Sequence, residues 1–464
     1  MAICIELALR RADGTNEPAR SILPACISSS LVVPEELPYA QADKTPQTTS
    51  TLFMARKAAS LFSLGMFVIY GVIFFQLRQP LTQGYSDFIS FYTAGKVLQG
   101  GAAESLYDIT LQYKIQREVA PSVQIRQGAL PFVRPAFEAW LFWPLAYLSY
   151  TVAFLVWNLF SCACVVVALL VLRQEIPELL KISPSLMLAS GLSYFPVFLT
   201  ILHGQDSLVL LLIYVLGFRA LRREKPFVCG LTLGLGIFKF PLLVPILIPF
   251  VLKKRLRLLA GFAISCLVLG IVSVATVGWS TARYYPRYLL TIDSLARGVN
   301  RPQDMPNLRG LLSVLLPTSH GTSLVVLLLL TVLTIGYAVR KWSFVTSDQG
   351  QLFALGFALN VVTTVLVSYH CHAFDLSILL LPMSVTVGFL LSDSPAETIA
   401  RRLLTWTTCL LMLSPLYLLS TFWLKTPSLL ALLVAGFAVA LGMTISGLPA
   451  MPPKTRMKIS AAQT

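Results

Sequence analysis

The chain has 464 residues, of which 56% are hydrophobic and 12% are charged, and its mean hydropathy is +0.74. These values exclude an ordinary soluble domain and predict an all-α polytopic membrane protein, because helices satisfy their own backbone hydrogen bonds in lipid. The net charge of +15 comes from short basic clusters between apolar runs, so no nucleic-acid partner is expected. The eight cysteines are scattered and predict neither a disulfide framework nor a zinc site.

Three segments divide the chain. Residues 1–55 are polar, lack the apolar core of a signal peptide and are predicted to be a disordered cytoplasmic tail. Residues 56–448 form the predicted transmembrane domain, and residues 449–464 a short basic cytoplasmic tail. The apolar runs expected to form spans cover residues 60–78, 150–172, 184–202, 206–222, 226–252, 256–278, 321–339, 350–369, 373–391, 403–423 and 427–447.

The orientation follows from the basic clusters, which favour the cytoplasmic side of a membrane. Clusters at 221–225 and 253–257 flank the run 226–252. If both face the cytoplasm, this run must go out and come back, with Lys239 at the outer turn and Pro241 as the break. We therefore expect about twelve crossings, with both termini in the cytoplasm.

The segment 131–150 breaks this regularity, because it is interrupted by Pro131, Pro135 and Pro144. The basic clusters on either side predict that it does not cross, which makes it a half-inserted or re-entrant helix. The alternative is an ordinary span, which would place residues 173–183 outside. The sequence leaves both possibilities open.

An external loop over residues 80–130 follows the first span and carries Asp87. Residues 88–120 have apolar side chains at helical spacing, broken by Gly100–Gly101, and predict two amphipathic interfacial helices. Asp87 can cap the first of them. It can also serve as a general base for a sugar hydroxyl, with its pKa raised among aromatic neighbours that include Tyr92. Tyr92 is also a candidate contact for the sugar or the acceptor.

Three cations are candidate ligands for a phosphate on the same side. Lys239 lies in an apolar run with no acid nearby in sequence, so a phosphate could offset the cost of desolvating it. Snorkelling of Lys239 to the interface is the structural alternative. Arg134 and Arg309 are weaker candidates for the same role, and each could instead be an interfacial anchor.

Two polar turns complete the external side, which also receives all four histidines of the chain. The turn "HGQD" at 203–206 presents His203 and Gln205, and the turn "YHCHAFD" at 369–375 presents His370, His372 and Asp375. Both turns suit sugar hydroxyls or simply close loops. The two-residue spacing of His370 and His372 argues against a shared metal site on a helix, so we expect no metal and no cofactor.

The order of these motifs resembles glycosyltransferase family 87. It is carried by "SDFISFYTAGKVLQGG", "PFVRPAFEAWLFWPLAYL", "HGQDSLVLLLIY", "GLTLGLGIFKFPLLVPILI" and "YHCHAFDLSILLLP", over about residues 58–420. The resemblance implies a GT-C fold and a donor sugar, usually mannose, linked to polyprenyl phosphate. It also implies inverting transfer to a lipid or glycan hydroxyl outside the cytoplasm, with Asp87 as the base. Family members typically have Tyr-Pro-Pro where this chain has residues 133–135.

Two other functions are compatible with the topology. A secondary transporter also uses buried acids and broken helices, although the chain shows no internal repeat and its polar residues gather at one face. A flippase for envelope lipids or sugars would share the whole architecture without transferring a sugar. Membrane lipids are partners in every case, and the oligomeric state is left open.

Overall fold

The computed structural model describes residues 46–121, 130–295, 301–316, 320–345, 350–392 and 398–448. These residues are mostly helical and contain no strand, which confirms the predicted all-α membrane fold. By length and composition, eight of the described helices could cross a membrane, or up to ten if each of two bent pairs forms one span. Residues 1–45 of the predicted tail 1–55, and the whole predicted tail 449–464, lie outside the described residues. The first described helix begins at Pro46, inside the predicted tail 1–55.

Eighteen α-helices follow one another in the described part of the chain, and short 3-10 turns connect several of them. They are α1 Pro46–Thr82, α2 Phe88–Gln99, α3 Ile109–Val119, α4 Ala139–Phe142, α5 Tyr150–Glu175, α6 Pro184–Leu192, α7 Phe195–His203, α8 Ser207–Arg222, α9 Pro226–Gly234, α10 Phe240–Leu252, α11 Leu256–Leu295, α12 Leu308–Leu315, α13 His320–Trp342, α14 Gly350–Val367, α15 Leu380–Leu390, α16 Thr398–Met412, α17 Ser414–Leu418 and α18 Leu430–Gly447. The bent pairs are α6 with α7, at 60°, and α16 with α17–Trp423, at 62°.

The basic clusters of α8, α10 and α13 meet at one end of the helix bundle. Arg222 at the end of α8 donates to the carbonyl of Gly350 at 3.3 Å, and Lys253 after α10 donates to the carbonyl of Trp342 at 2.8 Å. Glu175 at the end of α5 pairs with Arg223 at 3.0 Å. We call this the basic end, and the opposite end, where α1 finishes and α5 begins, the site end.

The run 226–252 turns back on itself, as the basic clusters predicted. Gly230 and Gly234 of α9 lie directly against Leu258 and Ser265 of α11, so α9 and α11 run in the same direction. The intervening α10 must therefore return the chain to the basic end, and a 3-10 turn, Leu235–Lys239, makes the reversal. Each half is short for a membrane span, and by length and composition the whole run counts once among the eight candidates, whereas the prediction of about twelve crossings counted it twice.

The proline-rich segment 131–150 contains no helix long enough to span a membrane. It forms a 3-10 turn, Ala136–Glu138, the four-residue helix α4 and a second 3-10 turn, Pro144–Tyr147. Phe132 and Phe142 are buried, whereas Trp140, Leu141 and Tyr147 are exposed. Phe142 packs on α2, where Gly95 allows the two backbones to approach closely. An ordinary span over 131–150 is therefore wrong.

The two helices predicted after the first span are present as α2 and α3. Nine of the twelve residues of α2 are buried, so this helix lies inside the protein rather than on a membrane surface. Phe88 and Phe91 pack against Phe142, and Phe88 also contacts Phe154 and Trp157. This packing fixes the start of α2, and with it the position of Asp87.

Candidate active site

The turn at 203–206 is shaped by a glycine. Gly204 has φ 63°, in the left-handed region, and ends α7. A Cβ at this position would lie 2.7 Å from the Cβ of Phe88, so only glycine fits without displacing α2. The Gly204 carbonyl also accepts a hydrogen bond of 2.9 Å from the indole of Trp157. The turn is therefore held directly against the residue that follows Asp87.

The Asp87 carboxylate faces this turn. Its Oδ2 accepts a 2.9 Å hydrogen bond from Gln205 Nε2 and lies 3.2 Å from His203 Nδ1. Asp87 makes no side-chain capping bond to α2, so the capping alternative does not describe its contacts. Its side chain is 30% exposed and that of His203 is 40% exposed. We call Asp87, His203 and Gln205 the exposed triad.

The triad holds its carboxylate in the ionised form. Burial raises the pKa of Asp87, but the neighbouring charge of His203 and hydrogen bonds from His203 and Gln205 outweigh it and lower the pKa to about 2. The raised pKa predicted from the aromatic surroundings is wrong, because the side chain points at polar partners. Asp87 is thus ready to accept a proton, although as a weak base.

Lys239 lies deeper than the exposed triad, and carboxylates of the protein balance its positive charge. Its Nζ is 2.5 Å from Asp206 Oδ1, 2.6 Å from Asp375 Oδ1 and 2.6 Å from Ser207 Oγ. The side chains of Lys239, Asp206 and Asp375 are at most 4% exposed. The anion that Lys239 requires is therefore supplied by two carboxylates distant in sequence.

Arg134 extends this group of charges. Its Nε lies 2.9 Å from Asp206 Oδ2, its Nη2 lies 3.1 Å from Asp206 Oδ1, and Glu138 Oε2 is 3.8 Å away. Burial together with the charge of Asp206 raises the pKa of Glu138 well above its usual range, which favours its neutral form. Arg134 and Lys239 both lie against Asp206, and Lys239 also pairs with Asp375. We call Arg134, Glu138, Asp206, Lys239 and Asp375 the buried network.

The turn at 369–375 connects the two groups. The backbone N–H of His372 donates to Asp375 Oδ2 at 2.9 Å, and Phe374 packs between the rings of His372 and His203. Burial lowers the pKa of His370 to about 3 and also lowers that of His372, so both imidazoles are neutral near pH 7. Neutral imidazoles can still donate and accept hydrogen bonds.

Two further predicted site residues have other contacts. Arg309 Nη1 donates to the carbonyl of Tyr369 at 3.0 Å, and its guanidinium lies 3.8 Å above the Tyr369 ring. Arg309 is therefore beside the histidine turn. The Tyr92 hydroxyl donates to the carbonyl of Leu148 at 2.7 Å, and the residue is 3% exposed. This contact ties α2 to the segment 131–150, and a role for Tyr92 in sugar binding stays a prediction.

Two members of the buried network, Asp206 and Glu138, and their neighbour Ser207 were absent from the sequence-based site. Asp206 belongs to the motif "HGQD", which the sequence analysis interpreted as a turn, and it lies immediately before α8. Ser207 Oγ donates to Asp375 at 2.7 Å, and Glu138 lies in the proline-broken segment. A buried lysine without a nearby acid was the signal that acids must come from elsewhere in the chain. Among the described residues, no group of His, Cys, Asp or Glu could hold a metal ion.

Comparison with known proteins identifies the family. The sequence profile of glycosyltransferase family 87 matches residues 132–368, which is just over half of the chain. The matched range includes the buried network up to Lys239 and the turn 203–206, and it lies between Asp87 and the histidines of the second turn. No curated protein and no solved structure matches the chain. The chain therefore belongs to glycosyltransferase family 87 and is a membrane glycosyltransferase.

Proposed function

We propose that the protein transfers a hexose, with mannose as the first candidate, from a polyprenyl-phosphate donor to a hydroxyl of a lipid or glycan. Asp87 is the general base, and the anomeric carbon is inverted. The observation that carries this proposal is the exposed triad, an ionised and accessible carboxylate held by His203 and Gln205. The family assignment favours an enzyme over the transporter and flippase alternatives.

The reaction needs one carboxylate. The acceptor oxygen attacks the anomeric carbon, the bond from that carbon to the phosphate oxygen breaks, and the hydroxyl proton passes to Asp87. The leaving phosphate is already a stable anion and requires no acid. Because a base with a pKa of about 2 is weak, we expect proton transfer to follow cleavage of the donor bond, as suits an oxocarbenium-like transition state.

The leaving phosphate requires a cation or hydrogen-bond donors. Among the three predicted ligands, Lys239 is offset by Asp206 and Asp375, and Arg134 by Asp206. Arg309 lies beside the histidine turn and is only partly buried, and on this position we assign the phosphate first to Arg309. His370 and His372, both neutral, are the nearest candidates for hydrogen bonds to the phosphate or to the sugar.

The side of the membrane follows from the distribution of charge. The exposed triad lies at the site end, and the lysine and arginine clusters lie at the basic end. Since basic clusters favour the cytoplasm, we assign the site to the extracytoplasmic side of the cell membrane and both termini to the cytoplasm. A lipid-linked donor can then enter from the outer leaflet.

The proposal is tested with the purified full-length protein in lipid nanodiscs. Radiolabelled polyprenyl-phosphate-mannose, polyprenyl-phosphate-glucose and the corresponding nucleotide sugars are supplied in turn with a panel of lipid and glycan acceptors. We expect product only from a polyprenyl-phosphate donor, with the anomeric configuration opposite to that of the donor. Transfer from a nucleotide sugar, or retained configuration, would refute the proposal. Chelator in parallel reactions tests the expected independence of metal ions.

A further inference from the structure

The long helix α11 has a second half that lies beyond a bend at the site end. α11 bends at Gly278, where φ is 76°. The roughly 23 residues before this bend extend about 34 Å, close to the ~30 Å hydrocarbon core of a bilayer. Since α11 starts at the basic end, the bend lies near the opposite membrane surface. The residues after Gly278 are therefore positioned at the interface between lipid and water.

One face of this second half is fixed to the site. The Tyr285 hydroxyl donates to the carbonyl of Val133 at 3.1 Å, and the Tyr288 hydroxyl donates to that of Phe132 at 3.3 Å. Thr281 donates to the carbonyl of Glu104 at 2.8 Å. These contacts hold the helix against the segment that carries Arg134, so its orientation is set and the opposite face is turned outward.

That outward face carries a line of four exposed residues, which we call the lipid stripe: Trp279, Arg283, Arg287 and Leu290. Their spacing places them along one side of a helix. Trp279 is 69% exposed and Leu290 is 80% exposed, and both arginines are exposed. Within the part of the chain that the structure describes, neither arginine forms an ion pair. Two cations one turn apart are thus flanked by two apolar side chains.

We propose that the lipid stripe binds the phosphate headgroup of an anionic phospholipid of the bilayer. Two adjacent guanidinium groups match a phosphate in charge and in hydrogen-bond geometry. Trp279 and Leu290 supply the apolar contacts expected where headgroups meet acyl chains. Trp140 is 46% exposed and donates to Thr276 at 2.7 Å, one turn before the stripe, which adds a second interfacial ring. This surface is separate from the exposed triad and goes beyond sugar transfer.

The lipid stripe is tested by site-resolved cross-linking of the full-length protein in vesicles. Photoactivatable phosphatidylglycerol and phosphatidylcholine with identical chains are compared, and cross-linked peptides are mapped after chymotrypsin digestion. In the wild type we expect phosphatidylglycerol to label residues 279–290 at least about fivefold more than phosphatidylcholine. R283Q/R287Q should remove this preference and unfold at the wild-type temperature, because both side chains are exposed.

The matched control is R257Q/R402Q, which removes two exposed arginines at the basic end. This control should leave the labelling of 279–290 unchanged. Equal labelling by the two lipids, or a preference that survives in R283Q/R287Q, would overturn the proposal. A polyprenyl phosphate that displaces phosphatidylglycerol at equal concentration would also overturn it, since the stripe would then be a donor site.

Discussion

The site end of this protein contains two kinds of carboxylate in close proximity. Asp87 is 30% exposed, and its partners are the polar side chains of His203 and Gln205. Asp206 and Asp375 are at most 3% exposed, and they share the ammonium of Lys239. The residue type is the same in both groups. Exposure and partners therefore separate a carboxylate suited to chemistry from carboxylates that hold the turns together.

The physical basis of this difference is the cost of desolvation. A buried charge is tolerated only when it is paired, so loss of one member leaves the others uncompensated. A partly exposed carboxylate keeps access to water and to reactants, and its loss leaves little uncompensated charge. Variants of Asp87 should thus change the rate of transfer, whereas variants of the buried network should change the free energy of unfolding.

Asp87→Asn should produce the largest change. The substitution keeps the shape of the side chain but removes its ability to accept a proton, so we expect transfer to fall by about 10²- to 10⁴-fold. The unfolding temperature should stay near that of the wild type. Asp108→Asn is the matched control, because Asp108 caps α3 through Thr110 at 2.8 Å and asparagine caps a helix equally well. Full activity of Asp87→Asn would remove Asp87 as the base.

Lys239→Met should have the largest effect on folding. The change leaves Asp206 and Asp375 buried without their shared cation, and we expect a loss of about 3–5 kcal/mol in the free energy of unfolding. Lys239→Met/Asp375→Asn removes one of the two carboxylates and should recover part of this loss. Thermal unfolding in detergent measures both variants. A Lys239→Met protein as stable as the wild type would show that the buried network does not support the fold.

The pH dependence of transfer should show whether His203 controls the pKa of Asp87. In the folded protein the pKa of Asp87 is lowered to about 2. Asp87 is therefore fully ionised above its ordinary pKa, and the ionised form is lost only as the pH falls toward 2. Wild-type transfer should show no acid limb from Asp87 between about pH 5 and 8. His203→Gln should raise the pKa of Asp87 and move the acid limb upward. An unchanged profile would exclude control by His203.

Tyr92→Phe should produce the smallest effect. It removes the hydrogen bond to the carbonyl of Leu148 and should cost about 1 kcal/mol of stability. Transfer per folded molecule should stay within about twofold of the wild type, because the hydroxyl is already engaged in this contact. A fall of tenfold or more at saturating donor would instead support the sugar contact predicted from the sequence.

Much of the architecture could be predicted because it depends on local patterns. Charge clusters on both sides of 226–252 predicted the reversal at Lys239, and helical spacing predicted α2 and α3. The partners of Lys239 could not be predicted, because Asp206 and Asp375 reach it only through packing of distant helices. The predicted direction of the pKa shift of Asp87 was wrong for the same reason, since its partner His203 is 116 residues away in sequence.

The most direct test measures two quantities on two variants side by side. Asp87→Asn and Lys239→Met/Asp375→Asn are purified in nanodiscs, and the single-turnover rate of sugar transfer per folded molecule and the unfolding temperature are determined for each. We expect Asp87→Asn to lose transfer and to keep the unfolding temperature of the wild type. The network variant should unfold at a lower temperature than the wild type and keep transfer within about tenfold of it. Transfer retained by Asp87→Asn, but lost by a fully folded network variant, would place the chemistry at the buried carboxylates instead.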